Sequence, residues 1–149
     1  ITNKEITSFI KNLFYLSKVN PNQNYSNIEV SYFSDDVEAR KYLELLGNSG
    51  WKIINYTPSL FETYPYDKFS IAMEDNAHKV IGQEFNKVIA VIDKYFYYDQ
   101  NGKLSNEGNY YYNSKKMLFQ ILTRTRKKLH IIIINNEELL NKCLKILNA

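Results

Sequence analysis

Four basic side chains crowd into five positions of the stretch LFQILTRTRKKLHIIIINN, residues 118–136. One interpretation of this density of charge is that one of the arginines binds a phosphate. The planar guanidinium of an arginine can donate hydrogen bonds to two phosphate oxygens at once. The alternative is that the basic residues have no ligand and lie at a solvated helix end, where the helix dipole favours positive charge. The cluster consists of Arg124, Arg126, Lys127 and Lys128.

A second segment whose residue types could form a functional site is AHKVIGQEFNKVIAVID, residues 77–93. It places a histidine, a glycine and a glutamate in the connection that enters a nearly continuous apolar strand. Parallel α/β sheets build ligand sites from the connections at strand ends. His78, Gly82 and Glu84 are therefore candidates for a ligand site, although a lone histidine is more often a hydrogen-bonded structural residue.

Other common site chemistries find no support in the sequence. The phosphate-binding pattern GxxxxGK[ST] is absent, so this chain cannot cradle a nucleotide as a P-loop does. Two separated histidines and one cysteine make a transition-metal cluster improbable, and no metal ligands are predicted. Cys143 fits the core of an amphipathic helix. Paired carboxylates, such as Asp35 with Asp36, begin helices, where they complement the dipole.

The elements that would position these residues alternate between helix and strand. Apolar residues at helical spacing predict amphipathic helices, and β-branched or continuously apolar runs predict strands. This alternation predicts an α/β sandwich with a mostly parallel sheet. The predicted helices span 3–18, 34–50, 115–128 and 137–147. The predicted strands span 28–33, 51–58, 70–73, 86–93 and 129–136, with loops at 59–69 and 74–85.

A tyrosine-rich segment, residues 94–114, interrupts this alternation. It holds seven aromatic side chains among 21 residues, and Asn101-Gly102 is a turn signal that favours a hairpin. The aromatic residues at 95–98 and 110–112 could stack on nucleic-acid bases. Their alternating spacing fits a single packed face better.

Composition sets the outer bounds. The chain of 149 residues has the length of one domain, spanning 1–149, and its net charge of +3 permits nucleic acid as a partner without requiring it. A single cysteine excludes an internal disulfide and, with no signal peptide in view, suggests the cytoplasm. No apolar run approaches the ~20 residues that span a membrane. Because it opens on ITNKEITSF without Met, we expect a fragment of a longer protein.

The two chemical segments together resemble a known family. HKVIGQEFNKVIAVID is similar to motif V of superfamily 1 helicases of the UvrD/Rep type, approximately H-x-x-K-G-x-E-F before an apolar strand. LFQILTRTRKKLHIII is similar to their motif VI, approximately Y-x-x-L-T-R-A-R-x-x-L before another strand. The chain also resembles the C-terminal part of bacterial helicase-like ATPases related to Schlafen-type helicase domains. The resemblance covers Ser70 to the C-terminus, with the two motifs in the family's order.

The resemblance implies roles for individual residues. Gly82 and Glu84 match the motif V positions that meet the ribose and phosphate side of the nucleotide. His78 matches the leading histidine, associated with coupling the nucleotide to single-stranded nucleic acid. Arg124 matches the arginine finger of motif VI, which reaches the γ-phosphate held by the first domain.

The resemblance extends to positions beside these matches. Thr123 and Arg126 match flanking positions of motif VI, the first on the nucleotide side and the second on the nucleic-acid side. The chain departs from the family at Ile81, where many members have Lys, and at Thr125, where many have Ala. The long tyrosine-rich segment would be an insertion into the minimal domain.

The resemblance also implies a fold and a function for the whole. We expect a RecA-like three-layer sandwich that serves as the C-terminal motor domain of a DNA or RNA helicase or translocase. ATP and Mg²⁺ would be held mainly by an N-terminal P-loop domain of the same chain, and single-stranded DNA or RNA would be the partner. Two alternatives stay open: a regulatory ATPase without unwinding activity, and a plain α/β module whose basic turn binds nucleic acid or protein.

Overall fold

The structure is a computed structural model that describes residues 3–15, 24–56, 75–107 and 113–148. The predicted aromatic loop 59–69, the predicted strand 70–73 and the tyrosines at 110–112 lie outside the described residues. Four helices alternate with the strands: α1 (Lys4–Phe14), α2 (Asp36–Gly47), α3 (Ser114–Leu122) and α4 (Glu137–Leu147). None of these described helices is long and apolar enough to cross a membrane.

In the described parts of the chain, five parallel strands form the central sheet: β1 (Ile28–Phe33), β2 (Lys52–Asn55), β3 (Asp75–Asn76), β4 (Phe85–Ile92) and β7 (Thr125–Ile134). Their order across the sheet is β1-β7-β4-β2-β3. The interior strands β4 and β7 are the most apolar, because a parallel strand covered on both faces must bury both sets of side chains. The prediction of an α/β sandwich with a mostly parallel sheet is confirmed.

Helices cover both faces of this sheet. The connection from β1 through α2 to β2 crosses the sheet in one direction, and the connection from β4 through α3 to β7 runs in the other. Since such crossovers are right-handed, α2 and α3 lie on opposite faces. Helix α1 packs beside α3 through the rings of Phe14 and Phe119, whose centroids are 5.7 Å apart, and it also contacts α4.

The predicted helix over 115–128 is too long. Helix α3 ends at Leu122, and β7 begins at Thr125, four residues earlier than the predicted strand. The reason is tertiary: Thr125 pairs with Phe85 of β4 and is fully buried, and strand pairing overrides the good helix propensity of a basic run. Arg126, Lys127 and Lys128 therefore extend from the start of a strand, not from a helix end.

The tyrosine-rich segment contains the hairpin that its turn signal favoured. Strands β5 (Phe96–Tyr98) and β6 (Leu104–Asn106) are antiparallel. Gly102 in the turn has φ +75°, a conformation that favours glycine. Phe96 is buried, and the Tyr98 hydroxyl donates to the carbonyl of Leu13 in α1. These two rings pack against the domain, as a packed face requires.

One polar side chain interrupts the aliphatic run of β7. His130 is 2% exposed, its Nε2 lies 2.8 Å from Ser31 Oγ, and its ring meets Tyr42 and Trp51 edge-on. Burial lowers the pKa of His130, and Glu29, whose Oε2 is 3.6 Å from Nδ1, opposes that shift. The neutral ring thus fills a core position beneath α2.

A buried carboxyl follows β4 and predicts a pH-dependent stability. Asp93 is 5% exposed, and burial raises its pKa to about 6 although the Tyr95 amide donates to it at 3.0 Å. The folded protein then binds this proton more tightly than the unfolded chain, so stability falls as pH rises from about 4 to about 6.

The variant Asp93→Asn keeps an acceptor for Tyr95 and removes the buried charge. At pH 8 it should be more stable than the parent by up to about 3 kcal/mol, the free energy of a pKa change from 3.8 to about 6. At pH 4 the two proteins should unfold at nearly the same urea concentration. Urea titrations at both pH values check this, and an equal difference at both would contradict it.

Candidate functional site

The two segments singled out in the sequence meet at one end of the sheet. β4 and β7 are neighbours, Phe85 pairs with Thr125, and the Phe85 amide donates to the Arg124 carbonyl at 2.8 Å. We call the end of the sheet formed by the first residues of β2, β4 and β7 the amino edge. Residues forty positions apart in sequence thus become adjacent, because the strands that follow them are paired.

Glu84 and Arg126 face each other at this edge. Arg126 Nε lies 3.9 Å from Glu84 Oε1, and the two side chains are 54% and 35% exposed respectively. An ion pair that is long and open to water contributes little to stability. Both groups therefore remain accessible to a ligand at the amino edge.

Arg124 is placed differently from its basic neighbours. Its side chain is half-buried, and Nη2 donates to Thr123 Oγ1 at 3.3 Å. Its Nε is buried without a hydrogen-bond partner, and no carboxylate in the described parts of the chain forms an ion pair with it. A buried donor without a partner is costly. This guanidinium thus retains hydrogen-bonding capacity that an anionic ligand could use.

Thr123 has a local structural task. It ends α3, its amide donates to the Phe119 carbonyl at 3.1 Å, and its hydroxyl donates to the Gln120 carbonyl at 3.0 Å. The same hydroxyl oxygen accepts from Arg124. Thr123 thereby connects the last turn of α3 to the Arg124 guanidinium through one hydroxyl group.

Gly82 and His78 belong to the turn before β4. Gly82 has φ +81°, and a Cβ added there would meet nothing within 4 Å, so backbone conformation alone favours glycine. His78 is exposed and lines a separate depression of about 250 Å³ with Asn113, Lys116 and Gln120. Glu84 and Arg126 meet at the amino edge, and the Arg124 backbone lies beside them, whereas the Arg124 side chain contacts Thr123. His78 lies apart from them, beside the first turns of α3.

The amino edge also contains residues that the sequence did not single out. A shallow groove of about 640 Å³ is lined by Glu84, Arg126 and side chains from the β2 end. Lys87 Nζ lies 4.7 Å above the Trp51 ring, and Lys52 Nζ lies 5.0 Å from the Phe85 ring and pairs with Asp75. No sequence motif marks Trp51 or Lys52, because only the pairing of β2 with β4 brings them here.

Charge and chemistry at this edge favour a phosphate-bearing ligand. Among the described residues, the acidic side chains here are Glu84 and Asp75, fewer than the basic ones. Such an arrangement can hold phosphate oxygens and offset charge that develops on them. The described residues contain no cluster of His, Cys, Asp or Glu that could hold a metal ion. The basic residues at or beside the edge are Lys52, Lys87, Arg124, Arg126, Lys127 and Lys128.

No protein-family model, no curated protein and no solved structure matches the chain.

Proposed function

We propose that this chain is the C-terminal RecA-like domain of a superfamily 1 helicase-like ATPase. In this proposal it supplies Arg124 to an ATP molecule held by a P-loop domain elsewhere in the same protein. The observation that carries the proposal is the meeting of the two motif-like segments at the amino edge, with a half-buried arginine that has no carboxylate partner among the described residues. Two resemblances found separately in the sequence are thus adjacent in space.

The chemistry assigned to Arg124 follows from its guanidinium. As a γ-phosphoryl group leaves, negative charge spreads over its oxygens, and a planar cationic fork can donate to two of them. Thr123 holds the guanidinium at the end of α3 through the 3.3 Å contact. Because the arginine would arrive only when two domains close, hydrolysis would be coupled to domain motion.

Glu84 and Gly82 have supporting roles in the proposal. The carboxylate of Glu84 can accept hydrogen bonds from the ribose hydroxyls, and its long, exposed ion pair with Arg126 leaves it accessible to them. Gly82 shapes the turn that leads Glu84 to the amino edge. Mg²⁺, held mainly by the P-loop domain, would neutralise phosphate charge when bound.

The proposal is tested on the full-length protein by measuring ATP hydrolysis with and without single-stranded DNA or RNA. Stimulated hydrolysis together with unwinding of a tailed duplex supports the motor. Hydrolysis without unwinding supports a regulatory ATPase of the same fold. Absence of both ATP binding and hydrolysis would leave only the α/β interaction module.

A prediction for Glu84 probes nucleotide binding. Glu84→Gln should raise the KM for ATP by about ten-fold with a smaller change in kcat, because a lost binding contact of about 1.4 kcal/mol is shared by the ground and transition states. Steady-state kinetics measure it.

The matched control is Arg126→Ala, which removes the ion-pair partner and leaves the carboxylate in place. We expect a change of less than about three-fold, in line with the small worth of an exposed pair. Equal effects of the two variants would mean that the ion pair, rather than Glu84 itself, matters at the amino edge.

A further inference from the structure

A second surface lies away from the amino edge, between α1 and α3. It is an apolar groove of about 420 Å³, which we call the α1–α3 groove. Two aromatic side chains are unusually open there: Phe119 is 50% exposed and Tyr15 is 44% exposed. Ile10 and Phe14 line it from α1. Large exposed aromatic residues that cluster in a concave site mark a binding surface more often than single exposed residues do.

The two walls of the groove have the same spacing. Its lining residues occupy positions 10, 11, 14 and 15 on one side and 115, 116, 119 and 120 on the other. Each set presents neighbours four residues apart, which form a ridge along a helix. Two such ridges leave between them a furrow of the kind that receives one face of a third helix.

The charged groups around the groove all have one sign. Lys11, Lys115 and Lys116 line it, and Lys103 Nζ lies 5.7 Å from the Tyr15 ring. Within the described parts of the chain, no carboxylate lines the groove and none pairs with these lysines. The acidic residue of the first turn of α1, Glu5, instead accepts from the Asn27 amide. Among the described residues, therefore, the apolar furrow has a rim of positive charge without a carboxylate partner.

We propose that the α1–α3 groove binds an acidic amphipathic helix of a partner protein. Apolar anchors at helical spacing would cover Phe119 and Tyr15, and flanking carboxylates would meet the lysines. A nucleic-acid strand fits less well, because stacking needs open ring faces in a row. Here Phe14 and Phe119 meet edge to face, with an interplanar angle of 80°, and Lys103 lies over Tyr15.

The test uses the full-length protein and a synthetic acidic helix of about 20 residues with Leu and Phe anchors at i, i+4 and i+7, Glu at the positions that flank the anchors, and Ala elsewhere to keep the peptide helical. Fluorescence anisotropy should detect saturable binding. Hydrogen-exchange mass spectrometry should show protection in α1 and α3. The variants Phe119→Ser and Lys115→Glu/Lys116→Glu should each weaken binding by about ten-fold or more, as truncation of an anchor or rim charge does.

Matched controls lie on other surfaces. Leu45→Ser removes an apolar side chain of α2 that is 60% exposed, and Lys142→Glu/Lys145→Glu reverses two charges of α4. Both should bind the peptide as the parent does. Thermal unfolding of every variant establishes that the fold is intact, and ATP hydrolysis, an independent property of the amino edge, should be unchanged by Phe119→Ser.

Several outcomes would overturn the proposal. These are failure of the acidic peptide to bind, equal binding of a peptide with Lys in place of Glu, or protection outside α1 and α3. A single-stranded oligonucleotide that competes for the groove more strongly than the peptide would assign it to nucleic acid. Concentration-dependent dimerisation that Phe119→Ser abolishes would assign it to a second copy of the chain.

Discussion

ATP hydrolysis by the full-length protein should fall by on the order of 10³-fold when Arg124 is replaced by alanine. The reason is that the lost guanidinium acts on charge present only in the transition state, so kcat falls while ATP binding changes little. Folding should be nearly unaffected, since the side chain makes one long hydrogen bond, 3.3 Å, to the Thr123 hydroxyl and no ion pair within the described residues. Steady-state hydrolysis at saturating nucleic acid is the measurement.

Two variants make this result specific. Arg124→Lys should recover only part of the activity, because an ammonium keeps the charge and loses the planar fork. Arg126→Ala, two positions along on β7, should be much milder, since its side chain is exposed and pairs with Glu84. Near-normal turnover by Arg124→Ala would leave this half-buried arginine with only a structural role after α3.

Asn136→Ala should destabilise the fold by about 3–5 kcal/mol, the sum of a lost helix cap and two buried carbonyls left without donors. Asn136 is 8% exposed and makes three bonds. Its Oδ1 accepts from the Leu139 amide at 3.1 Å, and its Nδ2 donates to the carbonyls of Asp93 at 2.9 Å and Phe96 at 2.7 Å. It therefore ties α4 to the end of β4 and to the hairpin.

Chemical denaturation with parallel fluorescence and circular dichroism measures this loss. Asn113→Ala provides the comparison, because Asn113 caps α3 through the Lys116 amide at 3.0 Å and is exposed. That variant should lose only about 1 kcal/mol. If the two asparagines cost the same, the contacts of Asn136 to Asp93 and Phe96 contribute nothing beyond capping.

The sequence by itself determined the elements whose signals are local. The strand 28–33 and the helix 137–147 have the predicted bounds, because an alternating β-branched run and an apolar 3.6-residue period are both short-range patterns. Asp35 was predicted to start α2, and it accepts from the Glu38 amide at 2.9 Å, a bond within one turn. The two chemical segments could likewise be found in the sequence, since their residue types and spacing lie within single stretches.

Only the tertiary structure decided which of these residues meet. The end of α3 could not be read from a basic run with good helix propensity, because its competitor, the pairing of Thr125 with Phe85, lies forty residues away. The same pairing brings Glu84 to Arg126. The pairing of β2 with β4 adds Lys52 and the preceding Trp51 to the amino edge. The α1–α3 groove joins residues a hundred positions apart. Strand order and helix packing determine which of these distant residues become neighbours, and short-range sequence patterns do not predict either of them.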